Sequence, residues 1–211
     1  MSDIPAPVKE TGRLEAFSDG VFAIAITLLI LEIKVPHPDQ AASAGELLGS
    51  LGAQWPAFLA YVTSFATILI MWINHHRIFR CVRRIDHSLL ILNGLLLLCI
   101  TFVPFPTALL TEYLERPAQA LAAAVYSGTF VVTAVIFNLL WRHVARSPRL
   151  LDPGVNRQFV RWNSRGYTVG PPVYLVAFGL GFLNAALGLV VCLALAIFFA
   201  LPSPVSELAD Q

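Results

Sequence analysis

Arg13-Leu14-Glu15-Ala16-Phe17-Ser18-Asp19-Gly20 runs without a break into Val21-Phe22-Ala23-Ile24-Ala25-Ile26-Thr27-Leu28-Leu29-Ile30-Leu31. An arginine, a serine and an aspartate thus stand at the mouth of an apolar helix. Ionisable groups are costly at membrane depth, so they need partners or a water-filled path. The composition places this helix in its context. Across 211 residues, 57% are hydrophobic and 13% are charged, whereas a soluble domain carries about 25% charged residues. The charges cluster between apolar runs and do not alternate along them, which is the pattern of a polytopic all-α membrane protein.

Six apolar segments follow from the hydropathy, at about 14–34, 55–76, 88–110, 118–141, 168–184 and 186–201. A helix needs ~20 residues to cross the hydrocarbon. The last two segments are short and separated only by Asn184, so they read as a tight helical hairpin. Pro104 and Pro106 predict a kink near the far end of the third span. Pro171 and Pro172 are expected near the start of the fifth, where a missing N–H costs little.

Orientation follows from the basic residues. Lys9, Arg13, Arg77, Arg80, Arg83, Arg84, Arg142, Arg146, Arg149, Arg157, Arg161 and Arg165 fall on one side, and only Lys34 and Arg116 on the other. The positive-inside rule makes the richer side cytoplasmic, so both termini are cytoplasmic. The acidic residues before the first apolar run argue against a secretory signal. The chain is therefore expected as a multi-pass protein of the cell inner membrane or plasma membrane.

The first span is unusual. Its apolar core, Val21 to Leu31, is 11 residues long, a length more typical of helices enclosed by protein than of lipid-facing spans. Ile24, Thr27, Leu28 and Leu31 follow i, i+3, i+4, i+7 spacing and form one stripe. From periodicity alone that stripe reads first as ordinary packing against neighbouring helices. At about 100° per residue, Arg13 and Asp19 lie on different faces, so each must find partners on other helices. Glu15 and Asp19 repel mildly at i, i+4, which implies a cation near Asp19. Trp72-Ile73-Asn74-His75-His76-Arg77 ends the second span on the same side, and either histidine could reach Asp19 or Ser18.

Several chemistries are disfavoured. Adjacent His75 and His76 point about 100° apart on a helix and have no Cys, Asp or Glu at i+3 or i+4, so no metal site is expected. Cys81, Cys99 and Cys192 share no ligand spacing. There is no Ser/His pair, HExxH or paired intramembrane carboxylate, so the chain is read as no enzyme, and no cofactor is expected. A proton-coupled carrier would place ionisable groups and broken helices at the midplane. The midplane here offers Thr27, Thr67, Asn93 and Thr133. The basic loop from Arg142 to Arg165 suits membrane lipids, through anionic headgroups, better than nucleic acid.

Arg13-x-x-x-Phe17-Ser18-Asp19 resembles the signature that opens the first helix of the transmembrane protein 175 family, the lysosomal potassium channels and their bacterial homologues. The resemblance continues in Trp72-x-x-His75-His76-x-x-Phe79 and in Asn93 through Phe102-x-Pro104-Phe105-Pro106-Thr107. It covers the first three spans by motif and the last three by topology. It implies a potassium-selective channel without the TVGYG filter loop, a string this chain lacks. It implies that the first helices surround the pore, with Ile24 as the first apolar ring, Leu28 and Leu31 further out, and Thr27 adding a hydroxyl near the narrowest point. Potassium is then the permeant ion and not a resident metal. Arg13, Phe17, Ser18 and Asp19 become structural, with Asp19 holding the pore helix against the second span through His75 or His76. No second Arg-Phe-Ser-Asp string follows residue 20, so several copies must assemble, and the bacterial members imply a homotetramer. Proton conduction is the alternative that the lysosomal relatives imply.

Overall fold

The structure is a computed structural model that describes residues 11–40 and 43–200. Lys9 and the expected end of the sixth span at residue 201 lie outside the described residues. Those described form helices α1 (Gly12–Leu28), α2 (Ala44–Ala53), α3 (Trp55–Arg80), α4 (His87–Phe102), α5 (Pro104–Tyr113), α6 (Gln119–Arg146), α7 (Arg157–Leu183) and α8 (Ala185–Ala200). Two short 3-10 turns, Leu29–Glu32 and Pro38–Gln40, follow α1. Five segments are long and apolar enough to cross a membrane: Gly12–Glu32, Trp55–Arg80, His87–Tyr113, Gln119–Arg146 and Arg157–Leu183. A shorter apolar helix, Leu187–Ile197, follows them. The architecture is an all-helical, multi-pass bundle.

The third span breaks at its prolines. α4 ends at Phe102 and α5 begins at Pro104, with Val103 between them. Neither Pro104 nor Pro106 can donate to the helix ladder, and the local chain compensates. Val103 N–H turns back to the Ile100 carbonyl, and the Thr107 hydroxyl donates to the Val103 carbonyl at 2.8 Å. That hydroxyl accepts from Ser64 on α3 at 2.8 Å, and Ser64 accepts from the Tyr126 phenol on α6 at 3.0 Å. Three wholly buried hydroxyls therefore tie α3, α5 and α6 to the break.

The fifth span differs from the sequence expectation. α7 starts at Arg157 and not near residue 168, because Asn156 caps it by accepting from Gln158 N–H at 2.7 Å. Pro171 and Pro172 therefore sit inside the helix, not at its start. Pro171 leaves the Tyr167 carbonyl without its i+4 donor, and Asn138 on α6 supplies one, its Nδ2 donating at 2.6 Å. α6 and α7 also approach closely through small residues. A Cβ on Gly181 would lie 3.4 Å from Ala123 Cβ, and one on Gly188 of α8 would lie 3.0 Å from Gly181 Cα. Asn184 makes the α7–α8 turn in extended conformation and caps α8 by accepting from Leu187 N–H.

The core lies among α3, α4, α6 and α7, where Trp141, Tyr126, Phe130 and Phe79 are fully buried. α8 packs on α3, α6 and α7, while α1 packs mainly on α3 and α4 among the long helices. The loops of the basic side are zipped together. Arg83 N–H donates to the Leu150 carbonyl at 2.7 Å and Asp152 N–H to the Cys81 carbonyl at 2.9 Å. The segment between α1 and α3, outside the six expected apolar segments, holds α2. Ser43 accepts from Glu46 N–H, and the Glu46 carboxylate accepts from Ser43 N–H, a reciprocal cap.

Asp86 begins α4 as its N-cap, accepting from Leu89 N–H at 2.7 Å, and meets His143 Nε2 at 2.9 Å. Desolvation raises its pKa, but the Leu89 N–H and His143 outweigh it and hold the carboxyl below its ordinary value. A carboxylate depressed on folding stabilises the protein above its unfolded value, about pH 4, and that contribution is lost as pH falls through the lower native value. The melting temperature of Asp86→Asn should therefore lie below wild type at pH 7, with the gap shrinking as pH falls from 5 to 3. A gap that widens toward pH 3 would contradict this linkage. Asn138→Ala should cost about 1–3 kcal/mol, the desolvation of an unpaired buried carbonyl, measured by thermal unfolding in detergent. A change near zero would mean that the Tyr167 carbonyl needs no partner.

Candidate functional site

α1 has two unlike faces. Ser18 (0% exposed), Phe22 (1%), Ala25 (1%) and, in the following turn, Leu29 (0%) face the bundle. On the opposite side Ile24 is 61% exposed, Leu28 43% and Leu31 60%, with Thr27 and Phe17 also open. At about 100° per residue, Arg13, Phe17, Ile24, Thr27, Leu28 and Leu31 all fall within about 60° of one line. That line is centred about 150° from the buried set. Leu31 lies in the 3-10 turn Leu29–Glu32, where the chain tightens, yet it keeps the same exposure. The sequence stripe is therefore a continuous uncovered surface, apolar along its middle, with a cation at one end.

The buried face of α1 is held by a neutral polar clasp. Ser18 donates to the Leu14 carbonyl at 2.8 Å and accepts from Asn93 Nδ2 at 3.0 Å. With the amide so oriented, Asn93 Oδ1 accepts from His75 Nε2 at 2.9 Å. Ser18, Asn93 and His75 belong to α1, α4 and α3, and all three are buried. The imidazole is fixed by packing as well. It stacks on Phe79 with ring centroids 4.3 Å apart and meets Phe22 of α1 at 5.4 Å. Among the described residues, His75 is thus bonded to Ser18 through Asn93 and not to Asp19.

Asp19 has a different partner from the one expected. Its Oδ1 accepts from Trp72 Nε1 at 2.8 Å in an exposed position. No cation pairs with it among the described residues, and neither histidine bonds to it. His76 is exposed and stacks on Trp72 with centroids 6.1 Å apart. Trp72 therefore bridges Asp19 and His76 by its edge and its face. Arg13 is exposed and has no hydrogen-bond partner among the described residues. No group of His, Cys, Asp and Glu able to hold a metal ion occurs among them either.

The sequence reading missed Asn93 as the central link, although a lone amide inside the apolar run Leu89–Leu97 was its signal. It also missed Trp72 as the partner of Asp19. The indole N–H is a neutral donor, whereas the Glu15–Asp19 repulsion points to a cation.

This geometry ranks two substitutions. Asn93→Leu leaves a buried imidazole N–H unpaired and should cost about 1–3 kcal/mol. Asp19→Asn keeps an acceptor for Trp72 at a solvated position and should cost under about 1 kcal/mol. Thermal unfolding of both variants in detergent checks the order. A larger loss for Asp19→Asn would move the structural role from the clasp to the carboxylate.

Comparison with known proteins accords with this arrangement. The sequence model of the family described as the endosomal/lysosomal potassium channel TMEM175 matches residues 13–104, which hold α1, the clasp and the Trp72–Asp19 contact. A potassium channel of Chamaesiphon minutus is 56% identical over 194 residues, covering 92% of this chain and 95% of that protein. The crystal structure of a lysosomal potassium-selective channel TMEM175 homologue from the same organism superposes with a TM-score of 0.83 at 53% identity, covering 92% of this chain and 97% of that one. The human endosomal/lysosomal proton channel TMEM175 is 37% identical over 145 residues, 66% of this chain but only 29% of the human protein. At this identity and coverage, with matching helices and a matching first-span signature, the chain belongs to the TMEM175 family of channels.

Proposed function

We propose that this chain is the subunit of a potassium-selective channel in the cell inner or plasma membrane. It would have six spans, both termini on the basic cytoplasmic side, and α1 lining a central pore between four copies. The single observation that carries this reading is the two-faced character of α1. One face is buried against α3 and α4, and the other presents Ile24, Thr27, Leu28 and Leu31 to nothing in the chain. A single helix cannot enclose a path for ions. Closed cyclic assembly, the usual form of homo-oligomers, would turn that open face inward. The relatives named as potassium channels support the choice of ion.

In such an assembly the roles divide cleanly. Ile24, Leu28 and Leu31 make apolar rings at successive levels, and an apolar constriction gates by dewetting. Potassium sheds its water more readily than sodium, so a narrow apolar ring penalises it less. Thr27 donates to the Ile24 carbonyl at 2.9 Å, which keeps its hydroxyl hydrogen on the helix and its oxygen lone pairs toward the path. Arg13, Phe17, Ser18, Asp19, His75 and His76 have no part in this selection. Ser18, Asp19, His75 and His76 position α1 through the Asn93 clasp and the Trp72 contact, while Arg13 and Phe17, on the open face, make no such contact among the described residues. Membrane lipids surround the assembly, and no nucleic acid or cofactor takes part.

Proton conduction is the second reading, favoured by the name of the human relative. Purified protein in liposomes separates the two. Potassium uptake should exceed sodium uptake, and a pH gradient without potassium should drive little flux. Ile24→Asn should conduct with its potassium preference moved toward parity. Unchanged selectivity in Ile24→Asn would remove the ring from the selection step, and proton flux without potassium flux would favour the second reading.

A further inference from the structure

The basic end of α6 holds a cleft that the channel reading leaves without a role. It is an open cleft of about 730 Å³, lined by Leu92, Leu139, Arg142, His143, Arg146 and Arg149, with the loop after α6 at one edge. On α6 the residues Leu139, Arg142, His143 and Arg146 follow i, i+3, i+4, i+7 spacing and share one face. The lining therefore changes along the helix axis from two leucines to three guanidinium groups. Leu139 is 48% exposed, and Arg142, Arg146 and Arg149 are exposed as well. None of the three arginines has a hydrogen-bond or ion-pair partner among the described residues. Asp86, whose carboxylate meets the cleft's His143, is already committed to that contact and to the α4 cap.

Depth in the membrane gives this gradient its meaning. α6 has 28 residues and is about 42 Å long, against a hydrocarbon core of about 30 Å. Its last turns must therefore reach the headgroup layer, with Leu139 at the edge of the hydrocarbon and Arg142 to Arg149 beyond it. Guanidinium groups bind phosphate oxygens in bidentate fashion, and the leucines offer a wall for an acyl chain. We propose that this cleft is a binding site for one anionic phospholipid of the inner leaflet. Its phosphate sits among Arg142, Arg146 and Arg149, and the upper part of its chain lies against Leu92 and Leu139. The site serves as a clamp between α4 and α6 and does not depend on which ion the channel passes.

The test reads binding and not flux, so its failure is distinct from failure of the channel reading. Full-length protein in a neutral detergent is titrated with short-chain phosphatidylglycerol, short-chain phosphatidylcholine or inorganic phosphate while its melting temperature is followed. Phosphatidylglycerol should raise the melting temperature of the wild type, and the other two should not. In the variant Arg142→Gln/Arg146→Gln/Arg149→Gln the apparent affinity should fall on the order of 100-fold. The variant Arg157→Gln/Arg161→Gln, basic but outside the cleft, should respond as wild type does. If the triple variant fails to fold, Arg146→Glu alone serves, with native mass spectrometry of bound lipid as readout. An equal shift with phosphatidylcholine, an equal shift with inorganic phosphate, or an undiminished response in the cleft variant each overturns the proposal.

Discussion

Hydrocarbon offers no water to a backbone that leaves the helical ladder, and this constraint organises the molecule. Interruptions in two of the spans are accompanied by side-chain hydrogen bonds to other helices. The break at Pro104 ends in the hydroxyl chain of Thr107, Ser64 and Tyr126. The freed carbonyl at Tyr167 is answered by Asn138. Unsatisfied backbone groups cost several kcal/mol in lipid, so these partners fix which helices can be neighbours. Apolar packing then fills the space around them, with Trp141, Phe130 and Phe79 wholly buried. Within a bilayer, the lipid tails give packed helices little hydrophobic reason to associate. The polar links and the close glycine contacts therefore set the arrangement.

The same logic explains how α1 stays attached while showing its other face to the outside. Its main contacts among the long helices are with α3 and α4. What holds it is a neutral clasp, Ser18–Asn93–His75, backed by Phe22 and Phe79. A neutral clasp avoids the desolvation cost that a buried ion pair carries. It also leaves Asp19 free to remain at the solvated edge, bonded to an indole. Arg13 and Asp19 of the signature are exposed on the chain, and only its serine is buried.

Much of this was legible in the sequence. The apolar spans, the α7–α8 hairpin at Asn184 and the break at Pro104 all follow from hydropathy and proline chemistry. The uncovered stripe of α1 matched its i, i+3, i+4, i+7 spacing. What escaped was of two kinds. α7 began eleven residues early because Arg157, Arg161 and Arg165 made its first turns look like loop, although Asn156 was a readable cap. α2 was hidden in the same way behind its small residues, though Ser43 and Glu46 spelled a capping box. The links Asn93 and Trp72 escaped for a different reason. Which polar side chains meet across helices depends on rotation and depth, and hydropathy carries neither.

The turn at Asn184 bears on how the chain reaches the membrane. No Lys, Arg, Asp or Glu occurs from residue 166 through residue 206, so α7 and α8 carry no charged flank at their junction. Loop charge, which usually decides the direction of a span during insertion, is silent there. The reversal rests on one extended residue, with φ −157° and ψ 119°, and on the glycine pair 181 and 188, which lets the two helices close at once. That geometry lets the two helices behave as a single unit. Were residue 184 to continue the helix, α7 and α8 would form one rod from Arg157 to Ala200, about 66 Å long against a hydrocarbon core of about 30 Å.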